Sequence, residues 1–310
     1  MFDEAYRTLF FSSPAKLNHK DRHLVIEASG RESVRIPLVD ITTLVIDTPQ
    51  IALSSSLLSA LAKYKIMLFV CDDSHIPSGI FTPFLVHYRN AKVLQHQIHL
   101  KQQAKSILWQ QIIKQKIYNQ TQLLLLQNIP TTAEKLESLQ KGVRLGDSTN
   151  NEAKASALYF PALFGRGFYR GEFCTTNAAL NYGYAIIRAT IARNLVASGL
   201  LPSLGIFHHN QFNPFNLADD LIEPYRAFVD SQVAQMELGE MLELKDRVKL
   251  VEILHTKIYM GGKHYPLYRS ITQMVQSFAR SIEVQDKALV LPVFTKECNG
   301  REVYESPSDV

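Results

Sequence analysis

The spacings that most often mark a zinc centre or a disulfide framework are missing from this sequence. It carries three cysteines in 310 residues. Cys71, Cys174 and Cys298 are scattered and odd in number, which points to reduced thiols. No Cys-x-x-Cys and no His-Glu-x-x-His occurs, so the common zinc sets are excluded. No apolar run approaches the ~20 residues of a membrane helix. The opening MFDEAYR is acidic where a secretion signal is basic. The expectation is a cytoplasmic chain with no membrane segment. Internal repeats and low-complexity tracts are absent as well. A net charge of +4 says little about partners, but its distribution says more.

That distribution contains a gap. Between Ser74 and Ala133 there is no Asp or Glu, while Arg89, Lys92, Lys101, Lys105, Lys114 and Lys116 all fall inside. Arg89, Lys92, His96 and His99 step by three and four, so on a helix starting near Val86 they share a face able to follow a phosphate backbone. Nucleic acid is the partner this field suggests. Trp109 and Tyr118 in the same stretch suit a core better than a base stack.

Length allows two domains of ordinary size. Short strand-like runs at Thr8–Phe11, His23–Ile26, Ser33–Ile36, Ile41–Ile46 and Ile66–Val70, with one helix from Ser54 to Tyr64, predict a β-rich domain over residues 1–85. Asn18 to Asp21 reads as a turn, and Asp72, Asp73 and His75 as a loop. Helical spacing dominates afterwards, so residues 86–310 form a mostly helical domain of an α+β chain. Asn177 to Ala192 should bury Leu180, Tyr184, Ile187 and Ile191. Lys257–Met260 and His264–Leu267 flank Gly261-Gly262, a hairpin signal. Ser270-x-x-Gln273 predicts a helix start.

Chemistry concentrates between Pro202 and Arg226. Asn216 is a plausible N-cap, and the helix that follows puts Asp220 and Glu223 three apart, so that two carboxylates can point at one ion. Pro224 should bend the helix beside them. The Asn213-Pro214 turn lets His208 or His209 fold back over the same face. Such a set suits Mg²⁺ or Mn²⁺ better than zinc. Farther back, Thr149-x-x-Glu152 fits a capping box as well as it fits a metal ligand. The small residues Ala153, Ala155 and Ala157 would let a second segment approach.

Gly205-Ile-Phe-His208, followed after a polar loop by Asp220-Leu-Ile-Glu223-Pro-Tyr-Arg226, resembles the CRISPR-associated integrase family, the catalytic subunit of the complex that captures new spacers. Two further segments match in order: Glu152-Ala-Lys-Ala-Ser-Ala-Leu-Tyr159-Phe160, and Arg170 through Asn177 to Leu180-Asn-Tyr-Gly-Tyr184. The resemblance implies a metal-dependent DNA integrase and endonuclease in which Glu152, His208 and Glu223 hold one Mg²⁺ or Mn²⁺, with Asp220 nearby. It selects His208 over His209, because the family histidine follows Gly-Ile-x directly. Arg170, Glu172 and Asn177 resemble positions that brace the site, although Asp is commoner in the family near Glu172. Arg166 and Arg170, next to glycines, join Arg89, Lys92, Lys101 and Lys105 as candidate DNA contacts. The resemblance also implies 3′-hydroxyl attack on a CRISPR repeat, double-stranded DNA as substrate, a homodimer through the β-rich domain, and a small second adaptation subunit as partner. The variant looks most like those encoded beside the single-protein RNA-guided effector nuclease, which makes that effector a candidate partner. Two other readings stay open: a structure-selective nuclease of branched DNA, and a non-catalytic DNA-binding scaffold in which Glu152 is only a helix cap.

Overall fold

Strands at the N-terminus and helices after them make this an α+β chain, as the sequence pattern leads one to expect. The computed structural model describes residues 7–81, 90–284 and 288–299. Its contacts divide the chain into two units, Met1–Val86 and His87–Val310. Among the described residues no helix is long and apolar enough to cross a membrane.

The first unit runs β1 (Arg7–Phe11), β2 (Ala15–Lys20), β3 (His23–Glu27), β4 (Val34–Pro37), β5 (Ile41–Ile46), β6 (Ile51–Leu53), α1 (Ser55–Tyr64), β7 (Met67–Cys71) and β8 (Pro77–Phe81). One sheet has the order β1-β5-β7-β8 and a second the order β4-β3-β2-β6. Strand β5 lies parallel to both β1 and β7. It is accordingly a mostly buried, β-branched and aliphatic run, ITTLVI, as parallel central strands are. Leu17 and Leu24 of one sheet, Leu44 and Leu68 of the other, and Leu57 and Leu61 of α1 share one core. Ser54 caps α1, its hydroxyl accepting the Leu57 N–H. The expected turn at Asn18 to Asp21 is displaced. Strand β2 continues to Lys20, and Asp21 and Arg22, both at positive φ, make the two-residue hairpin turn. Asp72 accepts the N–H groups of Ser74 and Ile76 within the β7–β8 turn, and His75 Nδ1 lies 2.9 Å from Asp47.

The second unit contains α2 (Asn90–Ile98), α3 (Gln102–Leu126), α4 (Pro130–Lys141), α5 (Asn151–Phe164), α6 (Thr175–Ala197), α7 (Asn216–Ile222), α8 (Arg226–Ala234) and α9 (Leu244–Val251), then β9 (Lys257–Met260), β10 (Lys263–Pro266) and α10 (Leu267–Val284). Helix α3 is buried along much of its length, through Leu108, Trp109, Ile112, Ile113, Ile117, Leu123 and Leu124. Asn119 ties it to two other segments, donating to the carbonyls of Pro224 and Pro292 at 2.7 and 3.0 Å. On α6 the four predicted residues Leu180, Tyr184, Ile187 and Ile191 are all buried. Gly261 and Gly262, at φ 56° and 84°, close the β9–β10 hairpin. Three local expectations fail. Ser270 lies inside α10 and bonds back to the Leu267 carbonyl. Asn216 is already helical, with its amide donating to the carbonyls of Ser203, Asn210 and Asn213. Of Ala153, Ala155 and Ala157 on α5, only Ala155 is buried.

Candidate active site

Helix α3 supplies the wall against which the site is built. Lys116 stands on its buried face, in line with Ile112, Ile113 and Asn119, with only 5% of its side chain exposed. Its ammonium donates to Glu152 Oε1 in the first turn of α5 and lies 2.5 Å from Glu223 Oε2. The chain thus brings two glutamates from separate elements to one positive charge.

Each glutamate is positioned by its own backbone. Glu223 opens a single 3₁₀ turn, Glu223–Tyr225, between α7 and α8. Pro224 has no N–H to continue the helical ladder, and the α-helical pattern gives way there to the 3₁₀ turn. Arg226, three residues on, grips Glu223 Oε1 with Nε and Nη2, each at 2.9 Å. Burial would push the Glu223 carboxyl up, but Arg226 and Lys116 outweigh it and hold it down at about 2. Burial likewise works to deprotonate Lys116, and Glu223 and then Glu152 reverse that, for a net upward shift. Glu152 is not part of a capping box. The N–H groups of Asn151 and Glu152 both donate to the Asp147 carboxylate, each at 2.9 Å, so Asp147 caps α5. The Glu152 side chain instead accepts from Lys116 and from Ser156 at 3.1 Å.

Asp220 faces elsewhere. Its carboxylate, fully buried, accepts the N–H of Ile206 at 2.6 Å and those of Phe207 and His208 at 3.1 Å each. This is an anion held in a concave row of backbone donors. His208 Nδ1 lies 2.7 Å from Asp220 Oδ1, and that hydrogen bond raises the imidazole pKa despite burial. Gly205 is required for this loop, since a Cβ there would stand 2.3 Å from the His208 carbonyl and 2.9 Å from Asp220 Oδ2. The loop also sets Phe207 flat against Trp109, with centroids 4.2 Å apart and planes 5° from parallel, and His208 edge-on to the same indole. His209 is exposed. Asp220 and Glu223 therefore do not point at one ion as their spacing suggested. One holds the histidine loop and the other meets Glu152.

A second layer braces Arg226. Its guanidinium lies 4.6 Å from the Tyr184 ring centroid. Tyr184 and Tyr159 donate their hydroxyls to the two oxygens of buried Asp230. Burial raises the Asp230 carboxyl to about 6, against the pull of Tyr184, Tyr159 and Arg226.

Among the described residues no three His, Cys, Asp or Glu side chains stand together as a ready metal set. The donor chemistry still fits a hard divalent ion. Two carboxylates converge on one cation, which is what such an ion requires.

The basic candidates fare differently. Lys101 is exposed and Lys105 half-buried. Lys92 is ion-paired with Glu283 at 2.5 Å. Arg89 lies outside the described residues. Arg166 is exposed. Arg170 donates to Asn177 and, at 2.7 Å, to Asn181, with its guanidinium against the rings of Phe160 and Tyr184. Its hydrogen bonds brace the loop before α6. Sequence reasoning missed Lys116 as a site residue and gave Arg226 and Asp147 no role. The available signal for Lys116 was a lone charge on the apolar stripe of α3.

Residues 9–252 match the family described as CRISPR associated protein Cas1. The CRISPR-associated endonuclease Cas1 of Neisseria meningitidis serogroup C is 39% identical over 292 residues, covering 93% of this chain and 96% of its own. Among solved structures, a casposase bound to integration product aligns with TM-score 0.72 at 18% identity, over 94% of each chain. A Cas1 protein from Thermotoga maritima aligns with TM-score 0.72 at 16% identity, over 91% of this chain and 99% of its own. A Cas6-RT-Cas1–Cas2 complex aligns with TM-score 0.67 at 18% identity over 92% of this chain, though only 35% of its own. With a profile match over most of its length and a relative this similar across nearly all of it, the chain belongs to the Cas1 family of CRISPR-associated proteins.

Proposed function

We propose that the protein is a metal-dependent DNA integrase and endonuclease in which Glu152, His208 and Glu223 hold one Mg²⁺ or Mn²⁺. The observation that carries this reading is the meeting of Glu152 and Glu223 at a single positive charge. Asp220 engages His208 Nδ1, and a carboxylate in that place fixes the tautomer and ring orientation of a metal-binding imidazole, leaving Nε2 as donor. Asp220 is thus a positioning residue. Arg226 keeps Glu223 ionised and fixed in direction. Bound to these ligands, the ion would polarise the scissile phosphate and stabilise charge on its oxygens.

The nucleophile we assign is the 3′ hydroxyl of a short captured duplex, and the target is a phosphodiester at a CRISPR repeat boundary. The fold shared with a casposase bound to integration product supports strand joining. Double-stranded DNA is the substrate. Fold neighbours within Cas1–Cas2 complexes support Cas2 as the small second subunit. The β-rich unit is our candidate for homodimer contact, the effector nuclease a further partner, and the cytoplasm the place of action. A relative named as an endonuclease favours a second reading, in which water replaces the hydroxyl and branched DNA is cut without joining.

Strand transfer into a repeat-containing plasmid separates these. Glu152→Gln, Glu223→Gln and His208→Ala should each fall to background, since ligands of one ion fail as a unit. His209→Ala should stay active, and chelation should abolish joining. DNA binding should survive in all of them, because affinity comes from phosphate contacts elsewhere. Joining by Glu152→Gln at the normal rate would refute the site. Free ends without joined product would establish the nuclease.

A further inference from the structure

We propose that Lys116 is a built-in competitor for the divalent ion, so that metal binds the two glutamates only by displacing the lysine ammonium. The inference rests on the metal reading above and goes beyond it. Lys116 is not a surface charge that happens to reach an acid. It is on the inner face of α3, 5% exposed, with Glu152 Oε1 and Glu223 Oε2 as its partners. Glu223 is 6% exposed and Glu152 31%. The meeting point is therefore closed on the Glu223 side and open on the Glu152 side, which is where an ion would enter.

Charge balance gives the competition its sign. Glu223 already has Arg226 on Oε1. With Lys116 on its other oxygen and on Glu152, the two carboxylates face two fixed cations. A dication added there meets like charge at contact range, which disfavours it, and it must replace an ammonium whose opposite charge within ~4–6 Å stabilises a carboxylate by roughly one to three powers of ten. Lys116 can yield where Arg226 cannot so readily: an ammonium on a flexible four-carbon stem makes single-point contacts, whereas the guanidinium holds its carboxylate with a planar fork. The lysine also gives the buried glutamates a partner whenever metal is scarce, since an unpaired buried carboxylate is costly.

Mn²⁺ binding to the intact protein, followed by electron paramagnetic resonance of the free ion, tests this without any turnover. Lys116→Met should bind Mn²⁺ at least about tenfold more tightly than wild type, and Lys116→Arg, which keeps the charge, no more tightly. Lys116→Gln guards against misfolding of the methionine variant and should also tighten binding. Mn²⁺ should raise the melting temperature of Lys116→Met by more than it raises that of wild type. Glu152→Gln should weaken binding in both backgrounds. If Lys116→Met and Lys116→Gln bind Mn²⁺ no more tightly while Glu152→Gln still abolishes binding, the competition is refuted and the metal site stands. If neither wild type nor the Lys116 variants bind Mn²⁺, or if Glu152→Gln changes nothing, the metal reading itself fails.

Discussion

At Asp220 a carboxylate without exposed surface is held by three backbone N–H groups and an imidazole, so its loss should act on both stability and activity. In Asp220→Asn one oxygen becomes an amide that donates, and it would face groups that also donate. Leaving buried donors unsatisfied costs about 1–3 kcal/mol. We expect urea denaturation to show a loss of roughly 3 kcal/mol and strand transfer to fall with it, because His208 loses its orientation. A variant of normal stability would contradict the cradle. Asp230 makes a separate prediction in pH. Its carboxyl is raised from 3.8 to about 6 by burial, so the folded chain binds this proton more tightly than the unfolded one. The contribution is present in full below about pH 4 and is lost as pH rises through about 6, roughly 3 kcal/mol across that window. Urea midpoints measured from pH 4 to 6 should therefore respond less favourably to rising pH in wild type than in Asp230→Asn. Equal pH dependence in the two would show that Asp230 does not titrate there.

Helix starts and stops decide which acids can work at the site. Because Asp147 takes the first two N–H groups of α5, the Glu152 side chain is released to reach α3. Removing that cap, Asp147→Ala, should destabilise by about 1 kcal/mol, whereas Thr149→Ala should change stability by less than about 0.5 kcal/mol. The reverse order in urea titrations would restore the capping box. The same elements show what could be read in advance. Long periodic segments were legible: α6 was visible in Leu180, Tyr184, Ile187 and Ile191, strand β5 in its apolar run, and the β9–β10 turn in two glycines. Strands β2 and β8 were not, because AKLNHK and PSGIF carry little apolar signal and become strands by pairing with β3 and β7. Glu152, His208 and Glu223 were singled out by the family resemblance, since residue type and spacing alone left Glu152 as good a helix cap and His209 as good a candidate as His208. Their cationic partner was not. The apolar stripe of α3 marks Lys116 as a lone charge, but its meeting with Glu152 and Glu223 is a long-range pairing that no local pattern records.

Across the whole molecule the proposed assembly and DNA contacts rest on surfaces rather than on the site. The β-rich unit leaves β4 and β6 as the outer strands of one sheet, with Val34 on β4 52% exposed, and such edges suit a symmetric pairing surface. Sedimentation at micromolar concentration should show a dimer, and a monomer would remove this proposal. The basic field on α2 and α3 gives the last prediction, and the structure sorts its members. Lys101 is exposed at the head of α3 and Lys105 half-buried one turn later, so each is placed to meet a phosphate. Lys92 already has Glu283 beside it at 2.5 Å, and its charge is partly balanced before DNA arrives. Each phosphate contact adds about 0.9 to the slope of log affinity against log salt on duplex DNA. Lys101→Gln and Lys105→Gln should each lower that slope by about one unit without changing which sequences are bound, since phosphate contacts carry no base information. Lys92→Gln should lower it by less, because the neighbouring glutamate offsets the lysine it replaces. Stability should hardly move, an exposed ion pair contributing under about 1 kcal/mol. Unchanged slope and affinity at both Lys101 and Lys105 would show the field to be only a solvated helix face. A full unit lost at Lys92 would instead mean that its ion pair opens when DNA binds.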